Sequence, residues 1–332
     1  MEVEETSNKS KKVGRSVLLP VLLVLLGMAA MSLWTIYQVE KAEAYARYMG
    51  VKNVSAERIA MIIRGAELSA NNIFDNVQRN LTTPDDVIAA LREKAELNLD
   101  VRGFFAAFVP NFFPEKGIWF EPYIFQPETG GFDYRQVGSA RHNYMKSTWY
   151  LEAVETGKCF WSEPYYYYDG TSMSGHYCTF TKPLYGDDGE LACVCGADMK
   201  LEFLTKELEW VDQTNKNNKL LNKYKPYTEY DFYTVIFSKD GTCIAHPEEK
   251  NLSIIDQDVL RDLKQKKSGV ADMNINGEAC MLYYGPIEFV DWTIAVIVPR
   301  QDFLKPMLPT GIILLTLVVL GMIIVFMVCR KL

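Results

Sequence analysis

Few side chains in this chain are placed to do chemistry. Asp198 ends an otherwise apolar run, LACVCGAD, so its carboxylate either meets a ligand or caps a helix beginning at Met199. Trp149 and Tyr150 sit in STWYLEAVETG, where a short helix would present them to a core or to a pocket. Tyr165 to Tyr168 form a strand-like run, and alternate members of a strand face opposite sides. At most two of the four can line one pocket; Tyr165 and Tyr167 share a face, and Tyr165 is the candidate. Phe120, Tyr123 and Phe125 read as sheet core or surface rather than as ligand contacts. His176 and Cys178 share a strand face, but no second such pair completes a zinc site, so neither metal nor cofactor is expected. Asp240-Gly241 and Asp187-Asp188-Gly189 are turn chemistry. The chain lacks GxSxG, HExxH and a phosphate-cradling glycine loop. His142, His176 and His246 have no serine or cysteine partner at a recognisable spacing, so no catalytic residue is expected.

The elements that position these residues follow from periodicity. Ile59, Ile62, Ile63, Ala66, Ala70, Ile73 and Val77 fall at helical spacing, which predicts a long helix, interrupted near Gly50–Asn53. Thr83-Pro84-Asp85-Asp86 supplies an N-cap, a proline at the first helical position and an acidic third residue, and starts a second helix running to about Leu97. VRGFFAAFVP (101–110) and IWFEPYIF (118–125) read as strands. A glycine-bearing loop, TGGFDYRQVGSARHNY, leads to the short helix that Gly157 ends. CFWSEPYYYY, HYCTFTKPLY and ELACVCGADM complete a sheet. A helix from Met199 to about Trp210 and a polar connector over 211–230 follow. A second module then begins at Tyr233: two short strands around Lys239-Asp240-Gly241, an amphipathic helix in LSIIDQDVLRDLKQKK, a hairpin on Asn276-Gly277 and the last strand, FVDWTIAVIVP. Two antiparallel sheets with segregated helices make the class α+β.

Two apolar runs bracket this body. Residues 17–37 hold no charge, are long enough to cross the hydrocarbon of a bilayer and end in Trp34 and Tyr37, which suits a retained span better than a cleaved signal peptide. Pro20 is expected to kink it. The second run, 307–329, closes with Arg330-Lys331. Basic residues on the outer flank of both runs place 1–16 and 330–332 in the cytoplasm and 38–306 outside it. The chain stops three residues beyond the second run, so no cytoplasmic output domain is expected within it. The formal net charge is -7; residues 1–16 carry +1 and Arg330 with Lys331 carry +2, which leaves -10 on 17–329. An acidic body excludes nucleic acid as a partner. Of the seven cysteines, six fall in 38–306, where disulfides are possible, yet their scatter among different strands favours reduced core residues.

The order span, long helix, sheet module, smaller sheet module, span resembles the double Cache sensor domain of bacterial transmembrane receptors. The resemblance covers about 38–306 and rests on STWYLEAVETGKCFWSEPYYYYDG, TKPLYGDDGELACVCGADM, VIFSKDGTCIAHP and YYGPIEFVDWTIAVIVP. It implies a membrane-distal PAS-like module at about 84–198 that binds a ligand, a proximal module at about 231–300, and a homodimer formed through the long helix. It also implies a two-pass receptor of the inner membrane that signals to a cytoplasmic partner or to a fused phosphatase, kinase, cyclase or chemotaxis output. One branch of the family binds amino acids through a tyrosine, Arg-x-Trp-Tyr, a second tyrosine and an aspartate. Carried over, that pattern falls on Tyr144, Trp149, Tyr150, Tyr165 and Asp198. Ser147 stands where the arginine should be, with Lys146 beside it and Arg141 and Arg135 nearby as substitutes. Lysine and arginine are not equivalent at a bidentate carboxylate site, so the implied ligand is a small polar molecule: amino acid, amine or carboxylate. The competing expectation is a membrane anchor that uses the same scaffold without a ligand.

Overall fold

The computed structural model describes residues 2–95, 101–127, 129–168, 174–217, 231–246, 254, 256–275, 277–301 and 307–331; side chains of 2–19, 307 and 328–331 are not described. Helix α1 (Glu2–Arg79) is continuous. The break expected near Gly50 is absent because the helix is clamped there. Tyr48 and Val51 bury against the second sheet, Ser55 Oγ donates to the Val51 carbonyl, and Gly50 merely faces solvent. The helix also continues through Pro20, which lacks the N–H for one i→i−4 bond. Helix α2 (Pro84–Glu93) begins as the capping signal requires: Thr83 accepts from the Asp86 amide and donates to its carboxylate. Its expected end at Leu97 lies outside the described residues.

The first sheet orders its strands β3-β2-β1-β7-β6-β4, all antiparallel: β1 (Gly103–Phe108), β2 (Pro122–Phe125), β3 (Asp133–Gln136), β4 (Phe160–Trp161), β6 (Gly175–Tyr185) and β7 (Leu191–Lys200). Strand β5 (Tyr165–Tyr167) adds to the free end of β6. β3 lies in the segment expected as loop; it pairs at the sheet edge, where an exposed, polar DYRQ strand is tolerated. Helix α3 (Thr148–Thr156) ends on Gly157 in the left-handed conformation, φ 64°. Helix α4 (Leu201–Lys216) starts two residues later than expected, since Met199 is still in β7 and faces the core, and it runs past Trp210.

Period-2 alternation decides the two faces of this sheet. Phe104, Ala106, Ile124, Phe180, Cys195 and Ala197 pack on the α1 stripe Ile59, Ile63, Ala66, Ala70, Ile73 and Val77. Phe105, Tyr123, Phe125 and Val194 face the other way, under α3 and its neighbours Trp149, Tyr150 and Ala153. The candidate site lies on this second face.

The second sheet orders β10-β11-β12-β8-β9: β8 (Tyr233–Phe237), β9 (Cys243–Ala245), β10 (Gly269–Ile275), β11 (Glu278–Pro286) and β12 (Thr293–Pro299). Gly277 at φ 87° closes the β10–β11 hairpin; its partner Asn276 lies outside the described residues. One face packs on α5 (Gln257–Lys264) through Val259 and Leu263, the other on Tyr48 and Val51 of α1. Helix α6 (Met307–Lys331) lies beside the first part of α1, with Gly321 against Leu25. Residues 20–37 and 308–327 fall in helices long and apolar enough to cross a membrane. Cys178, Cys193, Cys195 and Cys280 are buried as free thiols, and Cys159 is free and exposed.

Candidate functional site

Between the outer face of the first sheet, β5 and α3 lies a cavity of about 430 Å³, part of it open to solvent. Its wall consists of Phe105, Glu121, Tyr123, Val137, His142, Trp149, Tyr165, Tyr167, Tyr177 and Asp198. Six of these are Phe, Tyr or Trp, two are carboxylic acids, and none is lysine or arginine.

Strand register brings the aromatics to Asp198. Asp198 on β7 stands opposite Gly103 on β1 and Thr179 on β6. Gly103 has no side chain because none fits: a Cβ there would lie 2.6 Å from the Tyr123 ring, which crosses β1 at that point. Gly196, two residues before Asp198, leaves the same kind of room for Phe105, whose ring would stand 2.0 Å from an added Cβ. Two glycines therefore let large rings lie flat over the central strands and close the floor of the cavity.

The Asp198 carboxylate accepts hydrogen bonds from the Thr179 hydroxyl (2.6 Å), the Tyr165 hydroxyl (3.3 Å) and the Tyr123 hydroxyl, and Tyr165 and Thr179 also bond to each other at 2.8 Å. Burial pushes its pKa up to about 6 against the pull of those three donors. In β7 it cannot cap α4, whose N-cap is Lys200 and makes no side-chain capping bond. At the other end Glu121 is 3% exposed. Its pKa is raised well above the ordinary carboxylate range, first by burial and then by the charge of Asp198. Its Oε2 has no hydrogen-bond partner among the described residues; His142 Nε2 stands 3.6 Å away, beyond hydrogen-bonding range. His142 is half-buried, its pKa lowered by that burial, and its ring meets Tyr167 edge-on at 5.4 Å.

Trp149, Tyr165 and Asp198, expected from the sequence, line the cavity together. Three other expected residues do not. Tyr144 is fully buried and donates to the Phe108 carbonyl at 2.5 Å, so it ties the turn before α3 to β1. Tyr150 packs against Tyr144 rather than facing the space. Lys146 is exposed, because the single 3-10 turn 144–146 points it away from the sheet once Tyr144 is anchored inward. Arg141 is also exposed, and Arg135 lies over the Phe125 ring, so neither rebuilds the missing arginine in this wall. Tyr123, expected as core or surface, is a cavity residue. Phe105, Glu121, Val137, His142 and Tyr177 were not expected there. The one acid in the apolar run IWFEPYIF, two residues from Tyr123 and so on its face, is the signal that would have found Glu121. Arg102 flanks Tyr177; its Nε and one Nη are buried without a hydrogen-bond partner among the described residues.

Two stacked antiparallel modules on one long helix, the first with a cavity on its outer face, make the Cache-type, PAS-like fold. Residues 87–206 match the family model of the methyl-accepting chemotaxis protein-like first PDC sensor domain. The chain resembles the extracellular domain of histidine kinase soHK1S-Z6 at 20% identity and TM-score 0.61, covering 81% of this chain and 99% of that one. The periplasmic sensory domain of the Campylobacter jejuni chemoreceptor Tlp1 is 14% identical, with TM-score 0.60 over 78% of this chain and 96% of that one. The ligand-binding domain of the Pseudomonas aeruginosa amino acid chemoreceptor PctB, in complex with L-Gln, is 18% identical, with TM-score 0.51 over 77% and 91%. No curated protein matches the chain.

Proposed function

We propose that this protein is a receptor of the bacterial cell membrane whose distal module, about 84–198, binds a small amine-bearing molecule outside the cytoplasm. The observation that carries the reading is the composition of the cavity: two buried carboxyl groups and six aromatic rings with no lysine or arginine in the wall. A carboxylate with a raised pKa in a water-poor site is stabilised by a cation, and aromatic faces add cation–π attraction while excluding water. A free carboxylate ligand would meet only like charge there. The two apolar helices, with basic residues on their outer flanks, support a two-pass topology with both flanks cytoplasmic and 38–306 outside. The region is read as sensing, and no catalytic role is assigned to it.

Ligand closure on Asp198 would bias the packing of the first sheet on α1, and so the position of the membrane-spanning part of that helix. A second copy of the chain is the partner proposed along α1. Val54, Met61 and Leu68 are exposed at intervals of seven residues, the spacing of a helix–helix seam. One observation favours a second ligand reading: the orphan nitrogens of Arg102 beside Tyr177 could take a carboxylate and make the ligand an amino acid.

Thermal unfolding of the detergent-solubilised full chain, with primary amines, amino acids and carboxylic acids added one at a time, tests the ligand class. A protonated amine at a hundredfold excess over its dissociation constant should add about 2.7 kcal/mol of stability. Stabilisation by simple carboxylates and by no amine would overturn the reading.

A further inference from the structure

We propose that Glu121 is a second ligand-contacting acid, and that the cavity takes a molecule with a positively charged nitrogen at each end, an α,ω-diamine. This rests on the amine reading of the same cavity and extends it. Glu121 is buried to 3% exposure, faces the same space as Asp198, and leaves Oε2 without a hydrogen bond among the described residues. A carboxylate oxygen held from water and given no donor is costly unless something else arrives to meet it. The protein has not left it loose. The Glu121 amide is met by the Gln136 side chain, its carbonyl accepts from the Val137 amide, and its Cβ packs into room that Gly138 leaves open. The acid is thus held at a fixed place in the wall with one oxygen unused.

The sheet register sets how far apart the two acids stand. Asp198 pairs with Gly103, Gly103 pairs with Phe125, and Glu121 lies four residues from Phe125 along the chain. At the backbone this is about 13 Å along the strand and about 10 Å across two strand spacings. The two side chains reach from those backbones into one cavity, near enough for the charge of Asp198 to act on Glu121, so a short flexible chain with an ammonium at each end can meet both acids. Its methylenes would lie against Phe105, Tyr123 and Trp149, which occupy the wall between the two acids.

Three probes share one chain length and differ at the second end: 1,4-diaminobutane, n-butylamine and 4-aminobutyrate. Calorimetric titration of each into the full chain in detergent should show the diamine binding about tenfold or more tighter than n-butylamine, the effect of one added hydrogen bond to a charged group. Glu121→Gln should bring that ratio to about one, and Asp198→Asn should weaken both amines. Equal binding of diamine and monoamine by the unmodified protein overturns the second acid and leaves the amine reading standing. Tightest binding by 4-aminobutyrate overturns it in favour of Arg102. Failure of both amines to bind defeats the amine reading itself. The comparison within the unmodified protein decides even if Glu121→Gln does not fold.

Discussion

At the scale of single residues, Asp198 illustrates how a fold can hold an acid ready for a cation. Its three hydroxyl donors, Thr179, Tyr165 and Tyr123, offset only part of the burial that raises its pKa to about 6. The sign of the pH dependence follows. A carboxyl group whose folded pKa lies above its unfolded value stabilises the fold fully below the unfolded value, near 4, and that contribution is lost as the pH rises to about 6. Asp212, which accepts from the Thr234 amide and hydroxyl and is also pushed to about 6, adds in the same direction. The ligand-free protein should therefore lose stability between about pH 4 and 6, by about 3 kcal/mol for each of these two groups, and the raised pKa of Glu121 acts in the same direction. An amine needs the ionised form of Asp198, so its affinity should fall about tenfold per pH unit below 6. Melting and calorimetric titration across pH 4–8 measure both slopes; affinity that rises on acidification would contradict the assignment. The residue types at this site were partly legible beforehand. Trp149, Tyr165 and Asp198 could be placed from motif spacing. Tyr144 and Lys146 were misplaced because spacing cannot say which way a single turn faces. Glu121 was marked by the lone acid of IWFEPYIF, whereas Tyr177 and Phe105 needed the strand register, which is fixed by contacts between segments far apart in the chain.

At the scale of elements, the β4–β5 segment links the cavity to the rest of the molecule. Tyr165 and Tyr167 at its end line the cavity, while Trp161 at its start donates to Glu67 Oε1 of α1 at 2.9 Å and meets Trp292 of the second module at 6.1 Å. Glu163 between them pairs with Lys239 of the second module at 3.6 Å. A ligand that shifts β5 thus pulls on a short strand tied to both the long helix and the proximal sheet. Trp161→Phe keeps the ring in the core and removes the donor, which leaves one Glu67 oxygen unmet apart from the Arg64 pair on the other. It should lower stability by about 1–3 kcal/mol. It should also uncouple binding from movement: a probe pair on α1 and α6 near the membrane should report a ligand-induced change in the parent protein and little in the variant, with affinity altered by less than about threefold. An undiminished change in the variant would remove this segment from the route. The strands and helices themselves were largely readable, since capping, alternation and glycine turns are local signals. The uninterrupted α1 was not, because packing of Tyr48 and Val51 on the second sheet overrides a local glycine.

At the scale of the whole molecule, the two-module order was legible because each module carries its own strand and hairpin signals in sequence. The cavity was not, since it exists only where α3, β5 and the sheet close over one another. The exposed Val54, Met61 and Leu68 seam on α1 belongs to this scale too. In a two-fold pairing each substitution is present twice, so Met61→Asp would set two carboxylates in one apolar contact. Self-association of the detergent-solubilised chain, measured by light scattering, should weaken by at least about tenfold; unchanged association would place any partner elsewhere. The central claim remains the cation on Asp198. Calorimetric titration of a primary-amine panel into the full chain and into Asp198→Ala, at pH 7.5, tests it most directly. Saturable binding of at least one amine to the parent chain, weaker by about 2–5 kcal/mol in the variant, is the expected result. Amine binding of equal strength to both proteins would contradict it.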